Sequence, residues 1–187
     1  MKKIIIIAAA LVSFTTAAFA QNTQNATSTA SQTVQLNLSN ALEITFNSNN
    51  SGTGATVALP FTTVTDYANG VESAPQELRV RSNKNFTVTV KTSTGNFNVT
   101  TGGNTASSNM PASVLGVLVA ANNTGGAIGQ GFSATAYNSL SATAANLITN
   151  ANNGGNQTFS VKYKATPGFA YPAGTYSTDV VYTATQQ

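Results

Sequence analysis

The sequence predicts an all-β protein, a single antiparallel sandwich of two sheets with about seven to nine strands. Two observations carry that expectation. Apolar side chains recur at every second position through most of the chain, and the gaps between those runs are rich in Asn, Gly, Ser and Thr, the residues that turn a chain between strands. A third observation points the same way, since only residues 140–148, short and Ala-rich, have helical character.

The first element lies outside the expected fold. Met1, Lys2 and Lys3 give a basic start, Ile4 opens an apolar run ending at Val12, and Ala18-Phe19-Ala20 offers a small-x-small cleavage site before Gln21. That pattern predicts a signal peptide over residues 1–20 and export to the periplasm, cell surface or extracellular space. The apolar run is well short of the roughly 20 residues a spanning helix needs, so no membrane span is expected in the mature chain. Residues 21–33 hold almost only Gln, Asn, Thr, Ser and Ala, too little apolar surface to offset the entropy of ordering. They read as a flexible polar leader, with the sandwich domain at 34–187.

From there, Val34, Leu36, Leu38, Leu42, Ile44 and Phe46 all fall on even numbers. They predict one long bent strand or two strands in the same phase. A second reading makes Val34, Leu36 and Leu38 a strand donated to a neighbouring subunit. Val57, Leu59 and Phe61 predict a strand that Pro60 confines to an edge or bulge. Strands with one wet face follow at Leu78 and Val80, at Phe86, Val88 and Val90, and at Phe159, Val161 and Tyr163. The run Tyr176, Thr178, Val180, Tyr182 and Ala184 predicts a last long strand. Residues 114–120 are apolar on both parities and predict a strand covered on both faces or, as the alternative, a short buried helix. Asn69-Gly70, Lys84-Asn85, Thr94-Gly95-Asn96, Gly102-Gly103-Asn104, Asn123-Thr124-Gly125-Gly126 and Asn153-Gly154-Gly155 mark the turns, and the Asn-Gly and Gly-rich ones suit tight hairpins.

Composition removes several functions. Without Lys2 and Lys3, six cations face five carboxylates, a net charge of +1, which leaves nucleic-acid binding without its electrostatic basis. There is no Cys and no His, so the common thiol nucleophile and general base are missing and no disulfide frames the fold. The five carboxylates, Glu43, Asp66, Glu72, Glu77 and Asp179, are spread along the chain. No catalytic residue, no metal ligand set and no cofactor is expected. Asp66, Asn69 and Glu72 around Gly70 have the look of a weak calcium loop, but the spacing is not that of an EF-hand, and the plainer reading is an Asp that caps a turn.

Two surface features suggest binding. Arg79 and Arg81 share one strand face, as do Lys162 and Lys164; paired, they would form a basic stripe facing acidic polysaccharide, while the plainer role of such cations is to keep sheet faces soluble. Phe169 and Tyr171, bracketed by Pro167-Gly168 and Pro172, could stack on a sugar face, with Tyr67 or Tyr137 adding to the platform. The competing reading has these rings plugging the end of the sandwich.

At the C-terminus Pro172-Ala173-Gly174-Thr175-Tyr176 and the alternation through Thr183 resemble the closing strand of spore coat protein U-like and other pilin-like secreted bacterial domains. The signal, leader and strand rhythm also resemble those of Bacteroidota surface proteins. The resemblance implies an immunoglobulin-like or pilin-like sandwich and a structural or adhesive surface role, including that of a filament subunit. It implies self-association or other surface proteins as partners. A carbohydrate-binding module for an extracellular polysaccharide is the alternative.

Overall fold

The computed structural model describes residues 27–102 and 109–187. The expected signal peptide, the first part of the leader and the turn at Gly103-Asn104 lie outside the described residues. The chain divides into two units, Met1–Asn37 and Leu38–Gln187. In the first, residues 27–37 form no helix or strand and are exposed. Val34, Leu36 and Leu38 therefore belong to no strand, and the even-numbered run becomes a strand only at β1 (Leu42–Phe46).

After β1 come a helix α1 (Val64–Asn69), then β2 (Val71–Glu72), β3 (Gln76–Ser82), β4 (Phe86–Thr92) and β5 (Asn98–Gly102). A single 3-10 turn, Ala112–Val114, leads into β6 (Leu115–Asn122), β7 (Ala127–Ile128), β8 (Asn138–Ser139) and β9 (Ala145–Ala151). The chain ends with β10 (Gly154–Ala165), β11 (Gly174–Ser177) and β12 (Val180–Gln186). Nine of these strands have four residues or more, and β2, β7 and β8 have two. One sheet has the order β1-β3-β10-β6-β8, with β2 also on β10; a second is β12-β4-β9-β7; β5 and β11 form a separate ribbon. Every pairing is antiparallel.

The core lies where the two large sheets face each other. Leu78, Val80, Val117, Val119, Phe159 and Val161 from the first meet Phe86, Val88, Val90, Leu147 and Ile148 from the second in one buried cluster. Period two in the sequence thus becomes burial on one face, and each such side chain contributes about 1.5–3 kcal/mol. β6 is buried on both faces over its first half, as its double-parity apolar run leads one to expect.

Three expectations are corrected. Residues 140–148 are not helical: residues 145–148 enter β9, whose bulged pairing with β4 turns both Leu147 and Ile148 inward. Two adjacent apolar residues break period two, and a bulge rather than a helix is the cause. Val57, Leu59 and Phe61 form no strand, although they pack half-buried against the core. The Asn- and Gly-rich turns do not close hairpins at 83–85, 123–126 and 152–153; each carries the chain from one sheet to the other. A positive φ, such as the 71° of Gly125, bends the backbone whichever sheet receives it. The Asn85 side chain ties two crossings together by accepting the Asn153 N–H at 3.1 Å.

Candidate functional site

The long final strand expected from residues 176–184 breaks at Thr178-Asp179 into β11, paired with β5, and β12, paired with β4. That break leaves β12 as a sheet edge. The Ser93 N–H donates to the Asp179 carbonyl and the Gln187 N–H to the Asn85 carbonyl, both at 2.9 Å, so odd-numbered residues direct their backbone groups to β4. Direction alternates along a strand. Val180, Tyr182, Ala184 and Gln186 therefore present N–H and C=O to the open side, where no backbone hydrogen bond meets them among the described residues.

The facing sheet has a free edge too. The Asn47 N–H donates to the Glu77 carbonyl at 2.8 Å, which directs the odd residues of β1 to β3 and leaves Leu42 and Ile44 open. Beyond β1, residues 55–61 run on with half-buried Val57, Leu59 and Phe61 and no backbone hydrogen bond among the described residues.

Between these edges lies a cleft of about 1020 Å³. Ile44, Phe46, Val57, Leu59 and Phe61 line it from the first sheet's side, residues 171–182 from the other, and Leu78 and Tyr163 reach it from the core. At its base the Tyr163 and Tyr182 hydroxyls join the two sheets at 2.8 Å. Phe46 meets the Tyr182 ring edge-on at 6.3 Å. Burial pushes the Tyr163 hydroxyl up to about 12 and that of Tyr182 well above its ordinary value, so both stay neutral hydrogen-bonding groups. The Thr178 hydroxyl, on the cleft lining, is buried with no partner among the described residues. Gln186 closes the gap at one end, its Nε2 donating to the Ala41 carbonyl at 2.8 Å. Chemically this is an apolar trough flanked by unpaired backbone, a place for an extended peptide strand.

The structure separates the two rings of the expected sugar platform. Tyr171 lines the cleft. Phe169 is 69% exposed and stacks on Tyr67 at 5.5 Å and 22°, while Tyr67 meets Phe61 at 5.4 Å. The four cations lie on the outward face of one sheet, because Arg79 pairs with Thr158 and Glu77 with Ser160 across β3 and β10. Carboxylates stand among them. Arg81 bridges Glu43 at 3.1 Å, Lys164 reaches Glu72 at 3.9 Å, and Arg79 donates to Asn50. Val34 and Leu36 are 78% and 79% exposed, and Leu38 is 88% exposed.

Four of the five carboxylates are occupied locally, Glu43 and Glu72 by the ion pairs above. Asp66 accepts from the Thr62 and Thr63 N–H groups at 2.8 and 2.7 Å, a capping box at the start of α1. Those backbone bonds hold its carboxyl below the ordinary value. Gly70, at φ 79°, ends the helix. Glu77 accepts from the Asn47 amide at 3.1 Å. Among the described residues no group of three His, Cys, Asp or Glu side chains could hold a metal, and no helix is long and apolar enough to cross a membrane.

No family model matches the chain, and no curated protein matches it in sequence. Solved structures similar to it at a low level include two pilus proteins. A chaperone-usher pilus, described for the basis of its rod uncoiling, gives a TM-score of 0.38 at 9% identity over 88% of this chain and 97% of that one. The P pilus rod subunit PapA gives 0.36 at 13% identity over 78% and 99%. Likeness at that level fixes neither family nor function.

The cleft itself was not evident from periodicity. Phe46, Leu59 and Tyr182 read as ordinary strand residues, because alternation says which face is apolar and not which strand lacks a neighbour.

Proposed function

We propose that this chain is an exported, non-catalytic structural or adhesive surface protein that self-associates, each copy receiving an extended strand from another. The observation that supports this is the apolar cleft between two unpaired edges. A strand laid there would meet the free backbone groups of Val180, Tyr182 and Ala184 and cover the half-buried Val57, Leu59 and Phe61. The occupant is the segment Val34, Leu36 and Leu38 of a second copy. Its alternation supplies apolar side chains to one face of an added strand, those side chains are exposed, and it has no strand partner among the described residues. Its five residues, 34–38, extend roughly 17 Å at the rise of a strand, enough to run beside five of the seven residues of β12.

Export rests on the signal-like residues 1–20, and the absence of catalysis on the dispersed carboxylates in a chain without His or Cys. Light scattering after size exclusion of residues 21–187 tests the reading. Multimers are expected for the unaltered chain and monomers for a variant carrying Val34→Asp, Leu36→Asp and Leu38→Asp. A monomer in both cases, or identical multimers in both, would overturn strand donation.

A further inference from the structure

We propose a second binding site, at the rim of the cleft, whose lining it shares through Tyr67: a patch for a neutral, hydroxyl-rich polysaccharide built from the Tyr67–Phe169 stack and the adjoining Glu72, Lys164 and Tyr137. Phe169 is an exposed aromatic ring already immobilised. Tyr67 covers one face, and Tyr67 is itself held by Phe61, leaving 69% of Phe169 in water. The loop that carries it is restrained by the Thr166 N–H, which donates to the Val114 carbonyl at 2.9 Å, by Pro167 and Pro172, and by the Tyr176 hydroxyl on the Pro172 carbonyl at 2.9 Å. A ring fixed before binding loses little entropy when a ligand stacks on it.

Polar groups are brought to the same end of the sandwich. Lys164 pairs with Glu72 across β10 and β2, five residues before Phe169, and its ammonium lies 5.9 Å from the Tyr137 ring centroid. Burial and a hydrogen bond to Glu72 push the Tyr137 hydroxyl up to about 12, so it remains a donor. Gly70, at the end of the helix bearing Tyr67, sits so close that a Cβ there would be 2.6 Å from the Ala165 carbonyl and 3.0 Å from Lys164 Cε. The ion pair is half open, with side-chain exposures of 29% for Lys164 and 47% for Glu72.

A pyranose ring matches this combination, offering a C–H face to an aromatic ring and hydroxyls to donors and acceptors at its rim. One cation beside one carboxylate gives no net pull on a uronic acid polymer. A lipid surface would call for several aliphatic side chains in place of the Glu72–Lys164 pair.

Affinity electrophoresis of residues 21–187 through gels holding xyloglucan, galactomannan, dextran, starch or polygalacturonate provides the test. Retardation by at least one neutral polymer is expected, at least tenfold weaker in Phe169→Ala and weaker again when Lys164→Ala is added, with Tyr171→Ala unchanged. Phe169 is exposed, so its replacement leaves the fold intact, and an unchanged melting temperature confirms that. Migration unaffected by every neutral polymer, retardation that survives Phe169→Ala, or retardation by polygalacturonate alone would each overturn the site. Strand donation is tested by oligomer size and stands or falls separately.

Discussion

The tyrosine pair at the base of the cleft offers a sharp energetic test of how the two sheets are joined. Tyr163 belongs to one sheet and Tyr182 to the edge of the other, and their hydroxyls meet at 2.8 Å. Replacing Tyr163 by Phe keeps the ring but leaves the Tyr182 hydroxyl buried without its partner. Such a loss costs about 1–3 kcal/mol, whereas removing both hydroxyls together is close to neutral. Tyr182→Phe is expected to cost the same amount by the mirror argument. The double variant should then be more stable than the sum of the singles implies by about 2–6 kcal/mol, the two single costs taken together. Urea unfolding of all four proteins at neutral pH measures it.

The same pair sets an alkaline limit. In the folded chain burial raises the Tyr163 hydroxyl to about 12 and Tyr182 in the same direction, against an unfolded value of about 10. Stability from these neutral hydroxyls is fully present below pH about 10 and is lost as pH rises through the folded values. Between pH about 10 and 12 the double Phe variant is expected to lose stability less steeply than the unaltered chain. Strictly additive single variants, together with equal alkaline slopes, would refute a direct hydrogen bond between the sheets.

Other expectations follow from the packing. Phe86→Ala empties a site that is fully buried between the sheets and should cost about 3–5 kcal/mol by denaturant unfolding; a loss below 1 kcal/mol would place that ring outside the core. Gly70→Ala adds a Cβ 2.6 Å from the Ala165 carbonyl at a φ of 79° and should lower stability by at least about 1 kcal/mol, read by the melting temperature. Thr63→Ala removes the side chain that caps α1 at the Asp66 N–H, and a loss of about 0.5–2 kcal/mol is expected from the same measurement.

Much of this fold was legible in the sequence. Leu78 and Val80, Phe86 to Val90, and Phe159 to Tyr163 announced their strands and inward faces because a half-buried strand writes its burial every second residue. Residues 140–148 misled because the β9 bulge brings Leu147 and Ile148 inward together. Residues 57–61 kept the alternation of a strand while finding no ladder, and the Asn- and Gly-rich turns fixed where the chain bends but not which sheet it enters. The candidate sites were harder for the same reason. Phe169 stood out as an aromatic in a Pro/Gly loop, yet its stacking on Tyr67, over a hundred residues earlier, is a property of the assembled fold. The cleft depends wholly on pairing order, which periodicity does not carry.

Strand donation between copies is the central claim, and a directed disulfide tests it most directly. The chain has no Cys, so any cross-link reports only the engineered pair. One tagged copy carrying Leu36→Cys is mixed with a differently tagged copy carrying Val57→Cys or Val180→Cys, on opposite sides of the cleft, or Lys162→Cys, on the outward sheet face, and oxidised. The expected result is a mixed disulfide dimer with the cleft positions and little with Lys162→Cys; no cross-link at either cleft position, or an equal yield at Lys162→Cys, would contradict an added strand in the cleft.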